Sequence, residues 1–268
     1  MMPKWLHGKS VMIYDIETDW IPTTKMFCIS IAKLSIALDG THTLTPARIY
    51  TTHWVGYTNG SLMEAVTQIN KCDYVCGHNI IGFDNQEVKK LLLSGITSTP
   101  LDTLILSKIV FSKDDLFAMD PGLGVDKKLY GSYSAKAFGQ RMGDFKIDYD
   151  DFSHLNREMA IYCNQDTDLT ARLLLFLLSK ENFPLEKVTI IEHKAADIVA
   201  AQTTAGFYLD IVKARALNTK LLTEKTDLAR KLSAIFKPKW LKDGPEKTYK
   251  KASKVRKYLP NNNYIPVW

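Results

Sequence analysis

The first hundred residues change hydrophobic period repeatedly, and this restricts the fold more than any other property of the chain. VMIYDIE (11–17) is a β-branched, apolar run between Gly8, Lys9 and a polar stretch, the signature of a buried strand. MFCISIAKLSIA (26–37) and ARIYTTHWV (47–55) read as two further strands, joined by the turn-rich LDGTHTLTP. Such short connections predict an antiparallel meander. SLMEAVTQINK then begins with Ser61, carries Glu64 three residues later and spaces Leu62, Ala65 and Val66 helically, predicting a helix opened by a capping box. DYVCGHN (73–79) follows as a strand and DNQEVKKLLL (84–93) as a helix. This order predicts an α/β sheet flanked by helices.

Beyond residue 100 the pattern becomes helical. LDTLILSKIVF (101–111) fits strand and helix equally, and residues 112–133, rich in Asp, Gly and Lys, read as a loop. SAKAFGQRMGDFK predicts a helix ending near Gly143, and residues 154–180 a long one whose Leu173, Leu174, Phe176, Leu177 and Leu178 form a core side. After Pro184 a helix runs to Gly206, a suitable C-terminal cap, and another follows to residue 236. The remainder is lysine-rich and broken by Gly244, Pro245, Pro260 and Pro266, so it is expected to order poorly without a partner.

Charge is distributed unevenly. Residues 211–268 hold 15 Lys+Arg against 4 Asp+Glu, whereas residues 1–210 hold 20 against 25. An acidic body followed by a basic segment suggests a partner that is a polyanion, and Tyr249 and Tyr258 among the lysines suit nucleic acid, although a solvated face explains the run equally well. No run reaches the ~18 apolar residues of a membrane span. The N-terminus has no apolar core of a secretory signal, so a cytoplasmic location is expected. Cys28, Cys72, Cys76 and Cys163 lack zinc-site spacing and read as buried thiols.

Four acids stand beside these elements: Asp15 and Glu17 in YDIET, Asp84 in HNIIGFDN and Asp166 in YCNQDTD. Asp15 and Glu17, two apart on a strand, leave the same face. Tyr162 and Asp166, four apart on a helix, also share a face. Carboxylates gathered this way are ligands for hard divalent cations, and two such cations ~3.5–4 Å apart are a recurrent device for phosphodiester hydrolysis. Asp19 and Asp168 lie off this template and read as surface residues. His78 reads as structural, His193 as a packing residue, and Trp5, Trp20 and Trp54 as core or rim aromatics.

The three patches, in this order, resemble the three motifs of the DEDD exonuclease superfamily, in the subgroup with tyrosine in the third motif; the histidine subgroup would have His where this chain has Ile161. LDTLILSKIVFS, GSYSAKAFGQRMGDFK and IEHKAADIVAAQTTAGFYLD are similar to stretches of family A DNA polymerases, especially replicative ones of short-tailed bacteriophages. The resemblance covers about residues 10–236. It implies a ribonuclease H-like fold and a 3′–5′ exonuclease that trims single-stranded DNA 3′ ends to 5′-mononucleotides with two divalent cations, Mg²⁺ or Mn²⁺. By the same resemblance Asp15, Glu17, Asp84 and Asp166 are the cation ligands and Tyr162 orients the attacking water. Asn79 and Phe83 would lie beside the terminal nucleotide, and Ile21 would wedge against its base.

The implied organisation is an exonuclease domain over 1–185, a helical extension over 186–236 resembling the start of a polymerase thumb, and a basic tail over 237–268. No palm or fingers motif follows, so polymerisation by this chain alone is not expected. The resemblance leaves a stand-alone exonuclease, a separately encoded half of a split polymerase and a fragment of a longer one all open; a separate polymerase-domain chain is the protein partner under the second, with a host-cytoplasmic location if the chain is phage-encoded. Two other readings stay open: a non-catalytic DNA- or polymerase-binding subunit, and an RNA-trimming exonuclease of the same superfamily.

Overall fold

The computed structural model describes residues 2–52, 58–144 and 149–236, with the main chain alone at 239–242 and 264–267. Trp54, Tyr249 and Tyr258 lie outside these residues. The chain divides into two compact units, Met1–Ala205 and Gly206–Trp268.

The first unit is built on a mixed sheet. β1 (Ser10–Thr18) pairs antiparallel with β2 (Met26–Ile36), which takes β3 (His42–Leu44) and β4 (Arg48–Thr51) in succession along its other edge. On the far side β1 pairs in parallel with β5 (Tyr74–Gly77), and β5 with β6 (Thr99–Asp102), giving the order β3-β2-β1-β5-β6. With helices on both faces this is a ribonuclease H-like sheet. The meander is as expected, except that the stretch read as a turn contains β3, because Leu34 to Ile36 pair with Leu44 to His42.

Alternation along β1 divides the core. Met12, Tyr14 and Ile16 face α1 (Leu62–Ile69) and α2 (Asp84–Leu92), whereas Val11 and Ile13 face the helices that follow β6. The Ser61 side chain accepts from Glu64 N while Glu64 returns a bond to Ser61 N, so the predicted capping box is formed. The ambiguous run at 101–111 is both things in turn: β6 ends at Asp102, whose carboxylate caps α3 (Thr103–Val110) by accepting from Leu104 N at 2.9 Å.

Residues 112–133 are not the loop that their composition suggested. Ser112 and Asp115 form a second capping box that opens α4 (Lys113–Met119), with Leu116 fully buried, and two 3₁₀ turns follow at Asp120–Leu123 and Lys127–Leu129. Asp120 then holds Arg141 of α5 (Ala135–Arg141) through two bonds of 2.7 and 2.9 Å. Burial raises the Asp120 carboxyl, but the Arg141 guanidinium and the Gly131 N–H outweigh it and hold the group below its ordinary value.

α6 (Arg157–Leu178) is the helix that matters most to the site. Asn156 caps it by accepting from Met159 N at 2.7 Å, and Leu173, Leu174, Leu177 and Leu178 disappear into the core. Each such leucine contributes roughly 1.5–3 kcal/mol of burial, which clamps α6 to the sheet. α7 (Glu186–Ala205) packs on β6 and α3 and belongs to the first compact unit, which runs to Ala205. Gly206 follows with φ +68°, the left-handed cap expected there.

β6 is one edge of the sheet among the described residues, and two features blunt it. Pro100 supplies no N–H, and the Asp102 N–H is taken by His193 Nε2 of α7 at 2.7 Å. His193 Nδ1 lies 2.7 Å from the Thr189 carbonyl, so the ring is neutral with its proton on Nδ1, and burial holds it below the usual histidine range. It is a packing residue, as its sequence context implied.

In the second unit Asp210 caps α8 (Ile211–Ile235) through Lys213 N. Beyond it, β7 (Lys239–Lys242) and β8 (Tyr264–Val267) pair antiparallel. All four cysteines are free thiols and buried. Among the described residues no helix is long and apolar enough to cross a membrane.

Candidate active site

β1 brings two of the four acids together, and α6 carries a third on the same flank. Since Val11 and Ile13 face the α6 side, the strand period carries Asp15 and Glu17 onto that side just beyond the packed core. Cys163 of α6 is fully buried there, with its thiol 3.6 Å from the main-chain oxygen of Asp15 and 3.9 Å from Asp15 Oδ2. One ligating atom from each of Asp15, Glu17 and Cys163 lies within 4.8 Å of the other two. Ser30, opposite Asp15 on β2, donates to Asn164 Oδ1 at 2.6 Å. These contacts fix α6 at the level of Asp15. Asp166, three residues beyond Cys163, is thereby buried on the same flank, with Tyr162 one helical turn before it.

Asp84 arrives from the opposite face. β5 pairs with β1 only as far as Ile13, which leaves the main chain of β1 open on that edge beyond it. The N–H of Ile16, between Asp15 and Glu17, donates to the Asp84 carboxylate at the start of α2. Burial pushes the Asp84 carboxyl up to about 7, with Asp102 adding to the rise and the N–H groups opposing it. Tyr14, the residue before Asp15, donates from its hydroxyl to Asn85 Oδ1 at 2.6 Å and anchors α2 to the strand. Asp15, Glu17 and Asp84 thus come from both faces of the sheet to the C-terminal end of β1, with Asp166 on the α6 flank.

The turn between β5 and α2 carries the other second-motif residues. Gly77 approaches β1 so closely that a Cβ there would stand 2.9 Å from the Tyr14 carbonyl oxygen. Asn79 has φ +68°, a left-handed conformation that asparagine tolerates better than most residues, and it is exposed. Phe83 is half-buried immediately before α2. Buried Asp102 holds this turn: Oδ1 accepts from Asn79 N at 2.8 Å and Oδ2 from Ile81 N at 3.2 Å. His78 Nδ1 lies 2.9 Å from Thr103 Oγ1, which bonds Gly77 O, in keeping with a structural role.

Ile21 and Trp20 project from the loop between β1 and β2, 83% and 64% exposed. The β1/β2 register shifts at Glu17/Thr18, where the loop leaves the sheet. Asp19 accepts from Thr24 N at 2.7 Å and Lys25 N at 3.0 Å, so it shapes this loop. Thr23 bonds Glu87, and Lys90 Nζ lies 2.8 Å from Thr23 O, tying the loop to α2. Asp168, read as a surface residue, is instead half-buried and takes the N–H of Ala47; burial raises its carboxyl.

Asp102, the Thr23–Glu87–Lys90 clamp and the aromatic pair Tyr149 and Phe152 went unread in the sequence. For Asp102 a signal existed, since LDT ahead of an apolar helical run is a cap pattern. Its second oxygen bonding Ile81 had no local signature. The ring of Tyr149 stacks on that of Tyr162 with centroids 5.3 Å apart, and Phe152 stands edge-on to Tyr149 at 5.2 Å.

The donor set suits a hard cation. Buried carboxylates close together repel unless positive charge lies among them, and oxygen donors are what Mg²⁺ and Mn²⁺ prefer. Burial first, and then Cys28, Asp15 and Glu17, push the Cys163 thiol well up, so it stays protonated and donates to Asp15. Asp15, Glu17, Asp84 and Asp166 offer the carboxylate oxygens.

No family model matches the chain. It is 32% identical over 175 residues to the DNA-directed DNA polymerase of Escherichia phage T7, covering 51% of this chain and 25% of that protein. The corresponding enzyme of Enterobacteria phage T3 is 31% identical over 175 residues with the same coverage. Over these residues the chain is similar to phage DNA polymerases. Together with the three motif patches and the mixed sheet, this similarity fits an exonuclease domain of a phage polymerase. The chain spans about a quarter of the length of these relatives. Among solved structures, the ExoI/SSB-Ct complex aligns with a TM-score of 0.36 at 10% identity, covering 64% of this chain and 43% of that one. A family B DNA polymerase from the archaeon Pyrobaculum calidifontis aligns with a TM-score of 0.32 at 15% identity, covering 74% and 29%. Likeness at these scores adds nothing to the reading of the site.

Proposed function

We propose that the domain is a divalent-cation-dependent 3′–5′ exonuclease that shortens single-stranded DNA 3′ ends to 5′-mononucleotides, as the proofreading part of a phage-type DNA polymerase. The observation that carries this reading is the meeting of Asp84 with Ile16 N–H, between two acids of β1 that also face α6. Acids from both faces of the sheet have no packing reason to converge there, and each costs desolvation energy.

Asp15, Glu17, Asp84 and Asp166 would hold the cations, which when bound supply a hydroxide near neutral pH and neutralise the departing oxygen. Tyr162, one turn before Asp166, orients the attacking water with its phenol. Asn79 and Phe83 lie on the second-motif turn, where Asp102 fixes the backbone that presents them to the terminal nucleotide. Exposed Ile21 wedges against the terminal base and separates it from its neighbour. Polymerase context enters through the relatives, and a polymerase domain is the partner this reading requires.

The test is release of mononucleotides from a 5′-labelled single strand with Mg²⁺, beside an Asp15→Ala, Glu17→Ala double variant. Stepwise shortening from the 3′ end by the wild type alone is the expected result. Equal cleavage by both proteins, or none by either, would overturn the reading. An RNA oligonucleotide of the same sequence in a parallel reaction decides the sugar preference.

A further inference from the structure

Tyr162 does not stand alone beside the carboxylates. Its ring stacks on Tyr149 at 5.3 Å with 29° between planes, and Phe152 meets it edge-on at 6.4 Å and 79°. Phe152 in turn stands edge-on to exposed Trp20 at 6.0 Å, so the aromatic row runs from the loop that carries Ile21 to the third motif. The Tyr149 hydroxyl lies 2.5 Å from Asp151 O and 3.1 Å from Asn156 Oδ1. Asn156 is the cap of α6, so the stacking ring is fastened to the start of the helix that carries Tyr162 and Asp166. Burial raises the Tyr149 phenol, the bond to Asn156 opposes the rise, and the charges of Asp151, Glu17 and Glu158 add to it.

A tyrosine on a helix surface has several staggered rotamers open to it. Stacking against a ring whose own hydroxyl is fixed removes that freedom, and a well-packed aromatic pair contributes about 0.5–1.5 kcal/mol beyond its buried area. We propose that Tyr149 is a positioning residue for the hydrolytic reaction: its ring, held by Asp151 and the Asn156 cap, keeps the Tyr162 phenol over the carboxylates. The inference rests on the proposed exonuclease activity. Neither Tyr149 nor Phe152 belongs to the three motif patches, and Tyr149 acts through Tyr162 and not on the phosphodiester.

The experiment is a double-mutant cycle in single-turnover cleavage of a labelled single strand, using Tyr149→Ala, Tyr162→Phe and the double variant, with Tyr149→Phe as the conservative member. Tyr149→Ala is expected to lower kcat about tenfold with KM within twofold, and Tyr149→Phe, which keeps the stacked ring but loses its bonds to Asp151 and Asn156, to fall between that variant and the wild type. The double variant is expected to be no slower than Tyr162→Phe alone, because a ring that acts only through the Tyr162 hydroxyl has nothing left to position. Thermal melting of each variant separates this from loss of fold, since simple destabilisation would slow Tyr162→Phe further. Effects that multiply in the double variant, or an unchanged kcat in Tyr149→Ala, overturn the inference while Asp15-dependent cleavage by the wild type leaves the activity standing. Absence of Asp15-dependent cleavage in the wild type overturns both.

Discussion

The carboxylate of Asp84 accepts the main-chain N–H of Ile16, so an acid from one face of the sheet sits at the strand position between two acids that face the other. Strand β5 makes this contact possible by ending its pairing at Ile13.

The first prediction concerns pH. The buried Asp84 carboxyl titrates at about 7, above an unfolded value near ~3.9, so its contribution is fully present below about pH 4 and is lost as pH rises through 7. The linked loss is up to about 4 kcal/mol at 1.36 kcal/mol per unit. Cation-free protein is therefore expected to melt at lower temperature at pH 8 than at pH 5, and Asp84→Asn to flatten that dependence. Mn²⁺ should raise Tm at pH 8 more in the wild type than in Asp84→Asn. Parallel Tm–pH curves for the two proteins would contradict the assignment.

Asp102 is expected to serve stability and the second-motif turn together. Replacing it with Ala removes acceptors for Asn79, Ile81 and Leu104 N–H groups, one of them wholly buried. Hydrogen bonds to a charged group contribute about 1.5–3 kcal/mol each, and these share one carboxylate, so a loss of roughly 3 kcal/mol in urea unfolding is expected. Surviving protein should show a raised KM for single strands. A KM and a midpoint both within error of wild type would count against this role.

Arg141→Ala should be among the most destabilising single changes outside the site. It strands Asp120, which is fully buried, and also removes the bond from Arg141 Nη1 to Ser132 O at 2.7 Å. Breaking a buried pair from one side costs about 3–5 kcal/mol. The measurement is chemical denaturation, with Asp120→Asn expected to fall between wild type and Arg141→Ala. A cost under about 1 kcal/mol would show that the pair does not organise residues 112–141.

Ile21→Ala separates function from stability. The side chain is 83% exposed, so unfolding should change by no more than about 0.5 kcal/mol. Loss of the wedge should instead slow removal of the terminal nucleotide from a partly paired 3′ end more than from a free single strand. Equal rates on the two substrates relative to wild type would remove Ile21 from the substrate site.

Local signals carried much of the fold. The apolar runs at 11–17 and 26–37 became β1 and β2, and the Ser61/Glu64 pair became the cap of α1, because such runs and caps depend on neighbours a few residues away. Residues 112–133 were misread for a related reason. Their Asp, Gly and Lys content resembles a loop, yet Ser112 and Asp115 form a cap and Asp120 finds Arg141, a partner 21 residues distant. Asp168 was misread likewise, since its burial depends on Ala47 across the fold.

For the site, sequence alone determined which residues are paired by period: Asp15 with Glu17 on a strand, Tyr162 with Asp166 on a helix. These relations follow from backbone geometry and survive any arrangement of the elements. Only the tertiary structure decided that Asp84 meets Ile16, that Cys163 fixes α6 at Asp15, and that Tyr149 stacks on Tyr162. Each of those contacts joins segments whose approach is set by where β5 stops and how deeply the leucines of α6 are buried, and no local pattern encodes such distances.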